Sequence, residues 1–241
     1  MEKDIGIVLH TIKYGETGII VRIYTSRFGL LSFIIHGVRK ASAKVKNSYL
    51  QPLNQVEIVF KLNGNNGLQH MSEVSGTRQY NDIPFNILKT SIALFLSEML
   101  SKTLKDTDAN LQLFNFLTES LDFLDSATPL NPDFHLIFLV QLSGYLGFQP
   151  GRNFDSDHCF FNLAEGVYQR NPGAPDYCLD KVLSAVLNRL SQCTIRTKDA
   201  QTASRGQRHQ ILVKLVDYYR LHHPGVKEIK SLAVLEEVFS H

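Results

Sequence analysis

Arg22, Arg27, Arg39, Lys40, Lys44 and Lys46 fall in a stretch that contains no aspartate or glutamate from Thr17 to Val56. An uninterrupted run of positive side chains focuses a field that draws polyanions, and nucleic-acid phosphates answer that description best. Arg22 and Tyr24 share one strand face, opposite Val21 and Ile23, so a cation and a ring are offered side by side. Where exposed, Tyr24, Phe28 and Tyr49 can stack bases, and a basic track joined to aromatic platforms is how single strands are held without sequence preference. The competing reading of the same residues is plainer: rings that plug a core, as Phe33 and Phe60 are expected to, and lysines that only solvate a face. Arg205, Arg208 and Lys214 make a second, weaker basic candidate on a later helix.

Other chemistries leave less trace. There is no GxxxxGK[ST] loop and no GxGxxG between a strand and a helix, so ATP use is not expected. GxSxG and HExxH are absent, and no cysteine sits in a nucleophile signature. Asp106 with Asp108 and Asp155 with Asp157 are paired carboxylates, yet both pairs fall in apparent loops, where aspartate serves turns and caps. No catalytic residue is expected. His158 and Cys159 are adjacent and Cys178 follows, but structural zinc takes four tetrahedral ligands in close pairs, and a second pair is missing. Buried or idle thiols are the better reading, and neither zinc nor another cofactor is expected. His222 and His223, before Pro224 and Gly225, suit a helix C-terminus, where an imidazole can cap carbonyls.

The elements that must position the basic stretch are strands. Ile5, Ile7 and Leu9 alternate, as do Ile19, Val21 and Ile23, then Leu31, Phe33 and Ile35, then Val56, Ile58 and Phe60. Gly15 with Gly18, the segment Ser26 to Gly29, and Asn63 to Gly67 supply the turns, and a last strand is expected near Leu68 to Tyr80. Five short strands in some eighty residues avoid bare edges by closing into a small barrel, of the five-stranded OB kind or an SH3-like one. After Pro84 the apolar spacing changes to three and four: Leu88, Ile92, Phe95 and Met99, then Leu111, Phe114, Leu117, Leu121 and Leu124. A third helix runs from Phe134 to about Leu146, closed by Gly147 and Pro150. Residues 150–176 lose periodicity and collect glycine and proline, an irregular insertion or small β element, before helical spacing returns at Val182, at Leu212 and at Leu232. The division expected is a barrel over residues 1–80 and an α-helical domain over 81–241, interrupted at about 150–178: an α+β multidomain chain.

Composition agrees. A chain of 241 residues with 44% hydrophobic content can bury a real core. Three cysteines without a CxxC make no disulfide framework and fit a reducing compartment, so the cytoplasm is expected. The start, MEKDIGIVLH, lacks the positive region of an export signal, and no apolar run approaches membrane-spanning length. Charge is segregated: ten Lys/Arg against five Asp/Glu in residues 1–80, three against eight in 82–133, and eight against three in 196–230.

VLHTIKYGETGIIVRIYTSRFGLLSFIIHGVRK, followed by LQPL, resembles the opening of the RecO family of bacterial recombination mediators. Gly15, Glu16 and Thr17 match its first turn, Gly29 its second, and His36, Gly37, Val38 and Arg39 the close of its third strand. LVDYYRLHHPGVKEIKSLAVLEEVF is similar to the family's closing helices, with Lys230, Ser231 and Leu232 as the Lys-Ser-Leu segment. The resemblance implies an N-terminal OB-fold before a helical domain and no catalytic residue. It implies binding of single- and double-stranded DNA, annealing, and loading of RecA onto DNA coated by single-stranded DNA-binding protein. RecR, often RecF, and the acidic hydrophobic tail of the coating protein are the implied partners, and the nucleoid is the implied location. Many members place four cysteines around zinc in the interrupting region; here only Cys159, Cys178 and, farther on, Cys193 remain. A barrel that binds protein as a scaffold is the other reading of the same residues.

Overall fold

The computed structural model describes residues 1–16, 18–36, 47–63, 67–104, 108–197 and 203–240. Two compact units divide the chain, Met1–Ser126 and Ala127–His241.

In the first unit β1 (Glu2–Tyr14), β2 (Gly18–Thr25), β3 (Gly29–Ile35), β4 (Gln55–Lys61) and β5 (Gln69–Gly76) close into a barrel of order β1-β2-β3-β5-β4. Every neighbouring pair is antiparallel except β3 with β5, which runs parallel through Phe33↔Gln69 and Ile34↔His70. That parallel closure is the OB arrangement and sets aside the SH3-like alternative. Val8, Val21, Ile23, Phe33, Ile58 and Phe60 fill the interior with no exposed surface. Phe33 and Phe60 meet edge to face at 5.2 Å, as aromatic quadrupoles prefer.

The alternation of Ile5, Ile7 and Leu9 does not mark the barrel interior. Val8 takes the interior position, paired with Ile23, and the register slips between Val8 and His10, so the bulge reverses which residues of β1 face out. Ile7 and Leu9 are nonetheless buried, while Ile5 stays 44% exposed. Cover on this side comes from α1 (Ile87–Thr103), whose Ser97 hydroxyl donates to the Leu9 carbonyl at 3.0 Å. Asn86 caps α1 by accepting from the Leu88 and Lys89 N–H groups. α2 (Leu111–Ser126) follows, with Asn110 accepting from the Leu113 N–H.

The chain between β5 and α1 is held to the end of α2. The Asp125 carboxylate accepts the N–H groups of Asn81, Asp82 and Ile83 at 2.9–3.0 Å. Burial works to raise the Asp125 pKa, but those three donors and the nearby Lys89 ammonium outweigh it and hold the carboxyl below its usual value. Lys89, itself buried, donates to the Asp125 carbonyl at 2.7 Å and pairs with Asp82 at 2.6 Å.

The second unit is built on α3 (Phe134–Tyr145), which is buried along Phe134–Val140 and therefore carries almost no polar face. α4 (Lys181–Gln192), α5 (Arg205–His222) and α6 (Ser231–Ser240) complete it. Asp180 caps α4, and Ser204 with Gln207 forms a reciprocal capping box on α5. Residues 150–176 contain a two-stranded hairpin, β6 (Phe160–Asn162) with β7 (Val167–Gln169), seated by the Phe161–Tyr168 ring contact at 4.9 Å.

Candidate nucleic-acid interface

Because Val21 and Ile23 point into the barrel, Ile20, Arg22 and Tyr24 point out. Tyr24 is nevertheless fully buried, its ring 6.4 Å from that of Phe114 on α2 and its hydroxyl toward the Asn110 carbonyl. The expectation that Tyr24 offers a face to a base is corrected: the start of α2 covers it. Phe28 packs against the barrel core, edge to face with Phe60 at 5.5 Å. Tyr49 is half-buried, its ring over the Gly76 backbone, where an added Cβ would lie 3.1 Å from the ring.

What α1 and α2 leave open is the far part of β1–β2–β3. Residues paired across strands share a face. His10 pairs with Arg22 and Arg22 with Ser32; Ile12 pairs with Ile20, Ile20 with Ile34, and Ile34 with His70 of β5; Tyr14 pairs with Gly18. Ile12 is 47% and Tyr14 49% exposed, and Arg22, Ile20 and Ile34 are half-buried. His36 follows β3 beside Gly18, its Nδ1 3.7 Å from where a Cβ there would stand. From His36 the chain enters the basic segment of Arg39, Lys40, Lys44 and Lys46, four expected contacts that lie outside the described residues.

Arg27 sits elsewhere on the barrel and is already engaged. Its guanidinium donates to the Lys3 carbonyl at 2.7 Å and pairs with Glu2 at 3.3 Å and Asp4 at 3.7 Å, so its charge is answered inside the protein. Arg208 is corrected more firmly. It is buried, with Nε donating to Asp133 at 2.8 Å and Nη2 to the Ala203 carbonyl, which makes it a structural ion pair and not a phosphate contact. Lys214 is half-buried and donates to the Pro175 carbonyl at 3.0 Å. Arg205 is exposed at the first turn of α5.

Arg205 borders a cleft of about 300 Å³ in the second unit, lined also by His135, His209, Leu212, Glu236 and Phe239, with His209 Nδ1 3.5 Å from the Glu236 carboxylate. His135 is fully buried, its ring 4.8 Å from Phe239, and neither ring nitrogen has a hydrogen-bond partner among the described residues. Burial first, then the Arg208 charge, pushes the His135 pKa down to about 3, so the ring is neutral at physiological pH. His135, hidden in an apolar run, was the functional candidate that sequence periodicity passed over.

His158 turns Nδ1 to Asp155 at 3.0 Å, Cys178 is buried and donates to the Leu179 carbonyl, and Cys193 donates to the Arg189 carbonyl. Among the described residues no three His, Cys, Asp or Glu side chains converge as a metal-binding group. Asp155 accepts the N–H groups of Asp157 and His158, so that carboxylate is occupied in organising its own turn.

Residues 1–80 match the family model Recombination protein O N terminal, and residues 84–233 match Recombination protein O C terminal. The chain belongs to the RecO family. It is similar to the DNA repair protein RecO of Phocaeicola vulgatus, 33% identical over the whole of both chains, and to that of Christiangramia forsetii, 35% identical over 97% of each. The DNA repair protein RecO of Bacteroides fragilis is 32% identical over 99% of each chain. The closed barrel is thus the OB-fold of RecO, followed by a helical region with six α-helices among the described residues. The resemblance of the two distant segments to RecO is borne out over the full chain. Among the described residues no helix is long and apolar enough to cross a membrane.

Proposed function

We propose that this RecO-family protein is a recombination mediator that binds single- and double-stranded DNA through its barrel and anneals complementary strands. It assists loading of RecA onto strands coated by single-stranded DNA-binding protein, together with RecR and, in some settings, RecF. It works by binding and consumes no nucleotide; no metal cofactor enters the reading. Its place is the cytoplasm, at the nucleoid.

The observation that carries the DNA part is the open outer face of β1–β2–β3 around Arg22, leading into a stretch with no acidic residue from Thr17 to Val56. Such a field raises the local concentration of a polyanion and releases its counterions on binding. For the coating protein's acidic, apolar-ended tail, the cleft beside His135 supports the reading: Leu212 and Phe239 supply an apolar wall, and Arg205 with the first turn of α5 supplies positive potential on the side away from the His209–Glu236 pair.

Replacing Arg39 and Lys40 together with alanine tests the electrostatic part. Affinity should fall for all sequences alike, and the slope of log affinity against log salt should drop by about 1.4 for a single strand. An unchanged slope contradicts the assignment.

A further inference from the structure

Along α6, Leu232, Leu235, Glu236 and Phe239 share one face, spaced three and four apart. Leu235 is fully buried and pins the helix, and the buried Val226 and Ile229 anchor the chain leading into it. Beyond Leu235 the packing loosens: Glu236, Val238 and Phe239 are half-buried and Glu237 is exposed. The last turn holds no basic residue, and Glu236 and Glu237 lie toward the negative end of the helix dipole, where carboxylates are unfavourable. That turn is kept in place by what it touches, and it touches the cleft of the second unit. Glu236 stands 3.5 Å from His209 Nδ1, and the Phe239 ring lies 4.8 Å from the buried His135 ring. The second contact is incomplete. Neither His135 nitrogen has a hydrogen-bond partner among the described residues, a costly state for a buried imidazole, and a phenyl ring supplies none. The family match ends at residue 233, so Glu236 and Phe239 both lie past it.

We propose that the last turn of α6 is a built-in competitor for this cleft: Glu236 and Phe239 present it with a carboxylate and a phenyl ring, and so hold the place of an acidic, phenylalanine-ended peptide until one displaces them. The proposal rests on the tail-docking reading above and revises one part of it: Phe239, a wall of the closed cleft, is what the incoming phenyl group replaces. Exchange is favourable because a chain end brings a group that the turn lacks. Its terminal carboxylate accepts the N–H of the neutral His135 ring, which Phe239 leaves unpaired. Opening requires only that the turn beyond Leu235 unwind, and helix ends with little packed on them open at a free energy near zero. The closed cleft then discriminates by multiplicity. A solitary peptide competes poorly with a group already in place, whereas tails lined along a coated strand raise the local concentration enough to displace it.

Binding of a fluorescein-labelled acidic peptide ending in phenylalanine, read by anisotropy on the full chain, tests this. An internal competitor lowers apparent affinity by the fraction of molecules whose cleft is open. Phe239→Ala should therefore tighten peptide binding about threefold or more. Glu236→Gln, which removes a partly exposed ion pair, should tighten it by up to about fivefold. Adding Arg205→Glu to either variant should abolish the gain. The chain contains no tryptophan, so Phe239→Trp places a single reporter in the turn, and its emission should move to longer wavelength as the peptide expels the indole into water. Suppose instead that the unsubstituted protein binds the peptide, that Phe239→Ala binds it equally or more weakly, and that the Phe239→Trp emission stays put or moves to shorter wavelength. Phe239 is then a fixed wall: the competitor assignment is overturned and the tail-docking reading survives. If neither the unsubstituted protein nor Phe239→Ala binds the peptide, the tail-docking reading fails and takes this assignment with it.

Discussion

Arg22 and His135 show how differently two polar residues can be used. Arg22 stands half-buried on an outward row with no carboxylate partner among the described residues, so its charge faces whatever approaches the strand. Arg22→Ala should lower the salt slope of single-strand binding by about 0.7 while leaving the melting temperature nearly unchanged, which a fluorescence-anisotropy titration at several salt concentrations measures. His135 is held neutral instead. Its folded pKa of about 3 lies below the ordinary histidine value near 6.5, so the unfolded chain takes up a proton first as pH falls. The stability contributed by the neutral ring is complete above pH ~6.5 and is lost on descending from there toward 3, by about 2 kcal/mol at pH 5. Thermal melts of the wild type should therefore show a fall between pH 7 and 5 that His135→Leu largely abolishes. An unaltered pH profile in that variant contradicts the burial account. Tyr24 teaches the opposite lesson about legibility: the sequence places it correctly beside Arg22 on the outward face, but outward is not exposed once a helix distant in sequence lies over it.

The strands were readable because burial of one face imposes a period of two, and the helices because it imposes a period near 3.6. Residues 5–9 defeated that reading in one respect. Their alternation is real, but it belongs to the face that α1 covers, and the bulge after Val8 returns β1 to the opposite phase. Nothing local distinguishes an interior stripe from a stripe buried beneath a helix. The tie of Asp125 to the Asn81–Ile83 backbone was equally hidden, since an aspartate near a helix end reads as ordinary solvation until three N–H groups converge on it. Asp125→Ala should cost about 3 kcal/mol or more, because it leaves those donors without a charged acceptor and the buried Lys89 ammonium with less compensation. Urea denaturation reads this directly, and a loss under about 1 kcal/mol contradicts the tie. Likewise, Asp133→Ala should be strongly destabilising, since it strands the buried Arg208 guanidinium.

At the scale of the whole chain, family membership was legible from two distant segments in the right order, and the fold followed from it and from periodicity together. The candidate site was legible only in part. Charge along the sequence pointed to the barrel, whereas Ile12, Tyr14, Ile20 and Ile34 form a surface only through cross-strand pairing, which a linear reading does not display. Arg27 and Arg208 looked like free cations because their partners, Glu2, Asp4 and Asp133, are brought to them by the fold. Arg205→Glu should weaken binding of a peptide with an acidic, phenylalanine-ended tail about tenfold or more, measured by anisotropy, while leaving oligonucleotide affinity unchanged. The central claim, that binding energy alone brings coated strands together, is tested most directly by annealing two complementary oligonucleotides precoated with the cognate single-stranded DNA-binding protein, without ATP. The account predicts that adding this chain accelerates annealing and that the acceleration fades as salt rises; no acceleration at low salt, or acceleration that appears only with ATP, would contradict it.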